Sequence, residues 1–341
     1  MKKKILLILL VVLVIVGIIA SKFYSDIFLP NIKLDEDNTL IHIPSGANFD
    51  MLVDTLSSRK ILKNHKSFKW VAGKMSFKNP KPGRYRINNN WSNKELITVL
   101  RAGRQEAKKI TFNNVRTINE LAEIFGTELE ASNDDFINYF LNDATLSKYK
   151  QTKESMLSVF IPNTYEFYWN TSPTKLLEKL YKEHNNFWND TRLKAIEKIG
   201  LSKEEAYTMA SIVQKESNSV KEKPIIAGLY LNRIKKGMLL QADPTVIFGV
   251  GDFEIRRVLN KHLAYDSPYN TYMYAGLPPG PICMPDISSI DAVVNPEKHD
   301  YLYFCVSPGT GFEHAFAKTL TQHNRNAQRY RKWLNSQKIY K

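Results

Sequence analysis

Hydrophobic positions dominate the first 24 residues. Sixteen consecutive apolar or small side chains, Ile5 to Ala20, follow Met1-Lys-Lys-Lys4 and precede Ser21, Lys22, Phe23 and Tyr24. A membrane span needs about 20 residues and the apolar part of a signal peptide about 7–15. Counting Ile5 through Tyr24, with Lys22 snorkelling and the aromatic pair at the interface, reaches the spanning length. The pattern predicts an uncleaved anchor over a cleaved leader, because bulky Ile18 stands where a small residue is wanted if Ala20 ended a leader. Residues 25–37 read as a short polar spacer. Next come a strand at Thr39–Ile43, a helix over 48–59 with Phe49, Leu52, Val53 and Leu56 at helical spacing, and a second strand at Gly83–Ile87. Between the two elements last named lies the Pro/Gly turn Lys78–Gly83, and a helix over Asn93–Arg101 closes on Gly103. Together these make a small α+β module of about 70 residues.

From Lys108 onward the periodicity lengthens. Thr117 with Glu120 predicts a capping box ahead of Leu121, Ile124 and Phe125, with Gly126 ending that helix. Ser172-Pro173 starts a helix whose stripe is Leu176, Leu177, Leu180, Tyr181, His184, Phe187 and Trp188, and His184 in that stripe reads as a core residue. A box at Ser202 and Glu205 opens a helix through Ser217, and Pro224 opens another over 225–236 that stops at Gly237. Residues 300–306 read as a strand and Thr319–Leu334 as a final basic helix. The expected class is α+β: a membrane anchor over 1–27, the small module over 38–105, and a larger mixed body over 106–341.

Composition changes this picture in two places. Apolar residues make up 43% of the chain, which excludes a mainly disordered protein. Two Cys, Cys283 and Cys305, allow neither a disulfide framework nor a cysteine zinc site, and whether they pair is left open. The seven His lack metal-ligand spacing with carboxylates, so no metal or other cofactor is expected; His314 and His323 near the carboxyl end are candidates for bordering a site. The net charge of +14 is concentrated: residues 59–116 carry 16 basic and 2 acidic side chains, while 317–341 carry 7 basic and none acidic. Lys2–Lys4 should stay cytoplasmic, which places the rest outside. Nucleic acid is then excluded as a partner, and anionic headgroups and a carboxylate-rich wall are the local acids that a basic face would meet.

One segment carries candidate chemistry. Taking about 100° per residue from Met209, Ala206 lies at about 60°, Val213 at about 40° and Glu216 at about −20°, so Glu216 points along the apolar stripe while Gln214 and Lys215 point away. A carboxyl aimed into an apolar face is desolvated, its pKa rises, and it becomes a candidate general acid near neutral pH. The plainer alternative is a helix-end Glu that curls out to water or pairs with a cation. The segments Leu240–Val246, Ser267–Tyr272 and Gly276–Ile282 follow, read as loops rich in Pro, Gly, amide, hydroxyl and aromatic groups that suit a polyhydroxylated ligand. Tyr269 and Tyr272 can stack on sugar rings, and Gln241, Asn270 and Thr271 can bond hydroxyl or N-acetyl groups. Any of these alone is also ordinary turn chemistry.

Taken together, Ala-Ser-Ile-Val-Gln-Lys-Glu-Ser (210–217), Asn232-Arg233, Leu-Gln-Ala-Asp-Pro-Thr-Val (240–246), Tyr-Asn-Thr-Tyr (269–272), Gly-Leu-Pro-Pro-Gly-Pro-Ile (276–282) and Tyr-Leu-Tyr-Phe (301–304) resemble the MltG, or YceG-like, endolytic murein transglycosylases of bacteria. The module at 38–105 is similar to that family's LysM-like subdomain. Members commonly have Glu where Gln214 stands, so the catalytic role carries over to Glu216 alone. The familiar Phe-Pro-Asp-Thr-Tyr element appears as Ile161-Pro-Asn-Thr-Tyr165, and Cys283 falls where a small residue is usual. The resemblance implies cleavage of the MurNAc–GlcNAc β-1,4 bond of nascent strands, 1,6-anhydro-MurNAc ends, terminated elongation, and residence in the cytoplasmic membrane beside cell-wall synthesis enzymes. Substrate binding is expected at Gln241, Asp243, Tyr269, Asn270, Thr271 and Tyr272. Two other readings stay open: a hydrolase in which Asp243 is a second catalytic carboxylate, and a non-catalytic wall-binding scaffold.

Overall fold

The computed structural model describes residues 1–309 and 313–337. The expected basic residues Lys338 and Lys341 lie outside the described residues. The chain divides into two compact units. The first holds residues 1–110, 128–131 and 166–172, and the second holds 111–127, 132–165 and the chain from 173 onward.

In the first unit, α1 (Lys2–Phe28) is the one helix among the described residues long and apolar enough to cross a membrane, with a mean hydropathy of 3.1 over its most apolar 18 residues. Its final turns leave the apolar run and dock on the module. Phe23 stacks on Trp70 with centroids 4.9 Å apart, and Asn93 Nδ2 donates to the Asp26 carbonyl at 2.8 Å. The expected spacer over 25–37 is therefore not free. Residues 25–28 complete the helix, Pro30 and Ile32 bridge to Ser92 and Leu62, and Ile32 is fully buried. A polar composition concealed this, because backbone groups of Asn31 and Ile32 do the pairing.

The strands β1 (Asn38–Ile43) and β2 (Gly83–Asn88) pair antiparallel from Asn38 opposite Asn88 to Ile43 opposite Gly83. Ile41 and Ile43 share a face with Tyr85 and Ile87, as a period of two requires, and the helices cover that face. They are α2 (Phe49–Ser58), α3 (His65–Lys74) and α4 (Asn93–Ala102), each started by a polar cap at Asn48, Asn64 or Ser92. The middle helix was not anticipated: its lysines and Gly73 dilute the stripe of Phe68, Val71 and Ala72. Gly103 closes α4 at φ 71°, the left-handed conformation that a C-cap glycine supplies.

β3 (Lys108–Phe112) pairs with β4 (Asn163–Phe167), and the division between units falls within both strands. In the second unit, α5 (Ile118–Glu128), α6 (Asn133–Phe140) and α7 (Asp143–Tyr149) surround a cluster of fully buried rings, Phe112, Phe125, Phe136, Phe140 and Phe160. Gly126 does not end α5, which runs two residues further. It permits a close approach instead, since a Cβ there would lie 1.9 Å from Asn133 Oδ1 and 2.6 Å from its backbone nitrogen. A single 3₁₀ turn at Met156–Val159 leads to β4, and then follow α8 (Pro173–Phe187) and α9 (Asp190–Ile199). His184 is buried in the α8 stripe, and burial lowers its pKa to about 4.

The remaining elements are α10 (Lys203–Glu216), α11 (Lys223–Lys235), α12 (Asp243–Val250), α13 (Asn260–Leu263), α14 (Ile287–Val294), β5 (Tyr303–Val306), β6 (His314–Ala317) and α15 (Leu320–Ser336). α10 packs against α9, α11, α12 and α14, and every residue from Ala206 to Val213 is buried. β5 is shorter than the expected 300–306 and forms a hairpin with β6, Tyr303 opposite Ala317. The segment 240–246, read as a loop, contains the start of α12, and α14 follows the loop 276–282 as a helix for which no element was predicted. Pro244 suggested a turn, but a proline in the first turn starts a helix as readily.

Candidate functional site

Glu216 is the last residue of α10. The helix begins at a reciprocal box, with Ser202 Oγ accepting from the Glu205 amide at 3.1 Å and Glu205 Oε2 accepting from the Ser202 amide at 2.8 Å. Ser217 ends it in an extended conformation, so Glu216 stands where the negative end of the helix dipole disfavours a carboxylate. Although the residue retains some exposed surface, its carboxyl is packed among protein atoms. Burial, the largest influence, raises its pKa to about 7; the charge on Asp243 adds to the rise, and the Tyr230 hydrogen bond and the Arg233 charge oppose it. The apolar orientation expected from helical spacing is thus present, with its chemical consequence.

Tyr230 on α11 donates its hydroxyl hydrogen to Glu216 Oε1 at 2.7 Å, and its ring is 1% exposed. One turn on, Arg233 is buried and holds three carbonyls: Nε donates to Leu302 at 2.6 Å, and Nη1 to Leu240 at 2.8 Å and Leu239 at 3.2 Å. Its guanidinium also lies over the Tyr303 ring at 5.3 Å. Neither residue was singled out for a role. The available signal was a tyrosine in a buried stripe, whose hydroxyl needs a partner.

The six expected substrate contacts divide. Asp243 opens α12 and is exposed; its Oδ1 accepts from the Tyr272 hydroxyl at 2.6 Å. It lies close enough to Glu216 to raise that pKa. Tyr272, half-buried, also feels Glu216, and Tyr269 packs on Phe248 with centroids 4.7 Å apart. Gln241 is exposed at φ 50°, with its backbone N–H donating to the Thr271 carbonyl at 3.0 Å. Asn270 and Thr271 differ: both are about 2% exposed or less. Asn270 Nδ2 donates to the carbonyls of Leu263 and Tyr265, and Oδ1 accepts from the Tyr272 amide. Thr271 Oγ1 accepts from the Ala242 amide at 3.0 Å and meets Thr245 Oγ1 at 2.8 Å. Asn270 uses its polar atoms to brace 263–272 on itself and Thr271 uses its hydroxyl to tie that loop to 242–245. These atoms are engaged within the protein, a correction of the expectation that they face a ligand.

Gln214 points away from the Glu216 stripe, as its helical angle predicts, and it is engaged there: its Oε1 accepts from Ser289 Oγ at 2.6 Å, the Asp286 amide at 3.2 Å and Lys223 Nζ at 3.2 Å. Helical angles identify one stripe, whereas α10 is covered on several sides, with α14 receiving Gln214. Beyond Glu216, Ser217 Oγ donates to Glu222 Oε2 at 2.9 Å, and Glu222 Oε1 accepts from the His314 backbone amide at 2.6 Å. His314 therefore packs on Glu222, edge-on to Phe304, while His323 stacks on Tyr303. Ser211 Oγ accepts from the Ile282 amide at 3.0 Å and pins the segment after Gly276 to α10. Cys283 and Cys305 are both free thiols, and burial pushes Cys283 up to about 11.

Residues 41–329 match the YceG-like family. The endolytic murein transglycosylase of Bacillus subtilis strain 168 is 31% identical over 90% of this chain and 89% of its own length. That of Streptococcus pneumoniae D39 is 23% identical over 91% of this chain and 61% of its own. Among solved structures, the 2.6 Å crystal structure of a yceG-like protein from Listeria monocytogenes superposes with a TM-score of 0.56 at 27% identity, covering 85% of this chain and 99% of that one.

Proposed function

We propose, since this chain belongs to the YceG-like family, that it is an endolytic lytic transglycosylase acting on the glycan strands of peptidoglycan. The observation that carries this reading is the single carboxyl, Glu216, raised to about 7 at the end of a buried helix. Glycosidases that use water generally require two carboxylates, about 5–5.5 Å apart in retaining enzymes and 6.5–9.5 Å in inverting ones. A lytic enzyme works with one. Glu216 donates its proton to the glycosidic oxygen as the bond from MurNAc C1 breaks. The resulting carboxylate then takes the proton of the C6 hydroxyl as that oxygen attacks C1. The ring closes as 1,6-anhydro-MurNAc, no water is consumed, and the strand cannot be extended at that end.

In this scheme Tyr230 fixes the carboxyl, burial keeps it protonated near neutral pH with the charge on Asp243 adding to that effect, and Tyr272 occupies Asp243. Tyr269, Tyr272 and Gln241 are the exposed or half-open groups for the sugar; Asn270 and Thr271 shape their loop. Donation requires the protonated form, so kcat/KM falls as pH rises through about 7. Asp243→Asn removes a like charge and moves that alkaline limb to lower pH. Tyr230→Phe removes a hydrogen bond that favours the carboxylate and moves it to higher pH. Limbs that stay put, or move together, would contradict these roles.

The same reading places α1 across the cytoplasmic membrane with Lys2–Lys4 inside and the body outside, the module as a LysM-like glycan contact, and cell-wall synthesis enzymes as neighbours. Digestion of purified strands followed by mass analysis tests the chemistry. Anhydro ends, one water lighter than reducing ends, are expected; reducing ends would instead make Asp243 a second catalytic carboxylate.

A further inference from the structure

A concavity of about 230 Å³ lies next to the acid in sequence and in the fold. Lys215, the residue before Glu216, lines it, as do Pro244 and Ile247, which follow Asp243 on α12. Its floor is apolar, made by Ile247, Phe248, Phe253, Ile255 and Ile282. Its polar groups are two cations. Arg116 lies with its guanidinium 4.4 Å from the centre of the Phe253 ring, and Lys215 Nζ donates to Asn114 Oδ1 at 3.1 Å. Among the described residues neither has an ionic partner, although the chain from 117 to 316 carries 20 basic against 26 acidic side chains. An arginine laid on an aromatic face keeps its edge free to bind a carboxylate by two parallel hydrogen bonds.

We propose that this pocket is a subsite for the acidic peptide stem carried by the MurNAc next to the scissile bond. The inference rests on the transglycosylase reading above. The chemistry of the ligand fits the wall: a short peptide alternates small apolar side chains with free carboxylates, and the pocket presents an apolar floor under two unpaired cations. Position fits as well, since the stem leaves the sugar whose C1 Glu216 must reach, and Lys215 and Glu216 are consecutive at the end of α10. The pocket thereby selects strands that still carry stems and sets which sugar is placed at the acid.

Two measurements on the full-length protein test it. In the first, kcat/KM is compared on stem-bearing strands and on strands stripped of stems by an amidase. Wild type is expected to prefer stem-bearing strands, and Arg116→Gln with Lys215→Gln together should reduce that preference about tenfold, with the alkaline limb unmoved because neither cation contributes to the pKa of Glu216. A preference retained in the double variant, or absent from wild type, would overturn the subsite while leaving transglycosylation intact. In the second, binding of the N-acetylated dipeptide L-Ala-γ-D-Glu, which carries two free carboxylates and no cation, to Glu216→Gln protein is followed by NMR shifts of the Ile247, Ile255 and Ile282 methyls. Shifts that vanish on adding the Arg116 and Lys215 substitutions are expected; their absence before those substitutions would overturn the proposal even if no strand were cleaved. An inactive wild type that binds the peptide would count against the reaction and for the subsite.

Discussion

Glu216→Gln is expected to lose at least 10³-fold in kcat on glycan strands while remaining folded. A positioned general acid contributes about 10²–10⁴-fold, and here one residue serves both proton transfers. The substitution keeps the volume and leaves an acceptor for Tyr230, so stability should not fall. The variant's advantage over wild type should rise with pH. The folded pKa of Glu216, about 7, is above its ordinary value of 4.5, so the stability associated with the group is complete below about 4.5 and is lost as pH rises through about 7. Glutamine never ionises. The variant should therefore match wild type in acid and exceed it above neutrality, by on the order of 2–3 kcal/mol for a carboxyl this deeply placed. Denaturant midpoints at acid and alkaline pH check the sign, and a variant less stable than wild type at high pH would show that Glu216 is held as a welcome carboxylate.

Arg233→Ala is expected to lower stability by about 3 kcal/mol or more and to remove activity with it. Hydrogen bonds from a charged group contribute about 1.5–3 kcal/mol each, and this guanidinium satisfies the carbonyls of Leu239, Leu240 and Leu302. Those carbonyls belong to the segment leading to Asp243 and to the chain entering β5, so one side chain joins both to α11. Truncation strands buried acceptors and opens a cavity below Tyr303. Arg233→Lys should recover only part of the loss, because one ammonium on a flexible stem does not span three carbonyls in a fixed fork. Chemical unfolding is the measurement; a loss under about 1 kcal/mol for the alanine variant would show that the loops hold themselves. Because Arg233 also favours the carboxylate of Glu216, the lysine variant should titrate this group close to wild type.

Much of this site was legible in the chain, for identifiable reasons. Glu216 could be placed because α10 opens with a strong cap and its spacing is regular, so the angle of its last residue is reliable. The partners of Gln214, on the same helix, could not, since α14, which covers it, begins about seventy residues later and has no periodic signature of its own. Asn270 and Thr271 have the side chains of a sugar contact and also those of a turn, and only the carbonyls of Leu263 and Tyr265 and the Ala242 amide decide between them. α3 was hidden because four of its ten residues are lysine or glycine beside a short stripe. The fate of residues 29–32 depended on backbone pairing, to which composition is blind. Local rules thus found caps, stripes and the acid; they missed whatever is settled by a distant segment.

The proposed reaction depends on one carboxyl, that of Glu216, being held neutral near pH 7. Protein labelled with ¹³C at the glutamate side-chain carboxyl, titrated in the folded state and compared with Glu216→Gln, reads this directly. The prediction is one glutamate resonance that titrates near pH 7 and is missing from the variant. If the resonance missing from the variant instead titrates near 4.5, Glu216 is an ordinary surface carboxylate and cannot be the acid on which the proposed reaction depends.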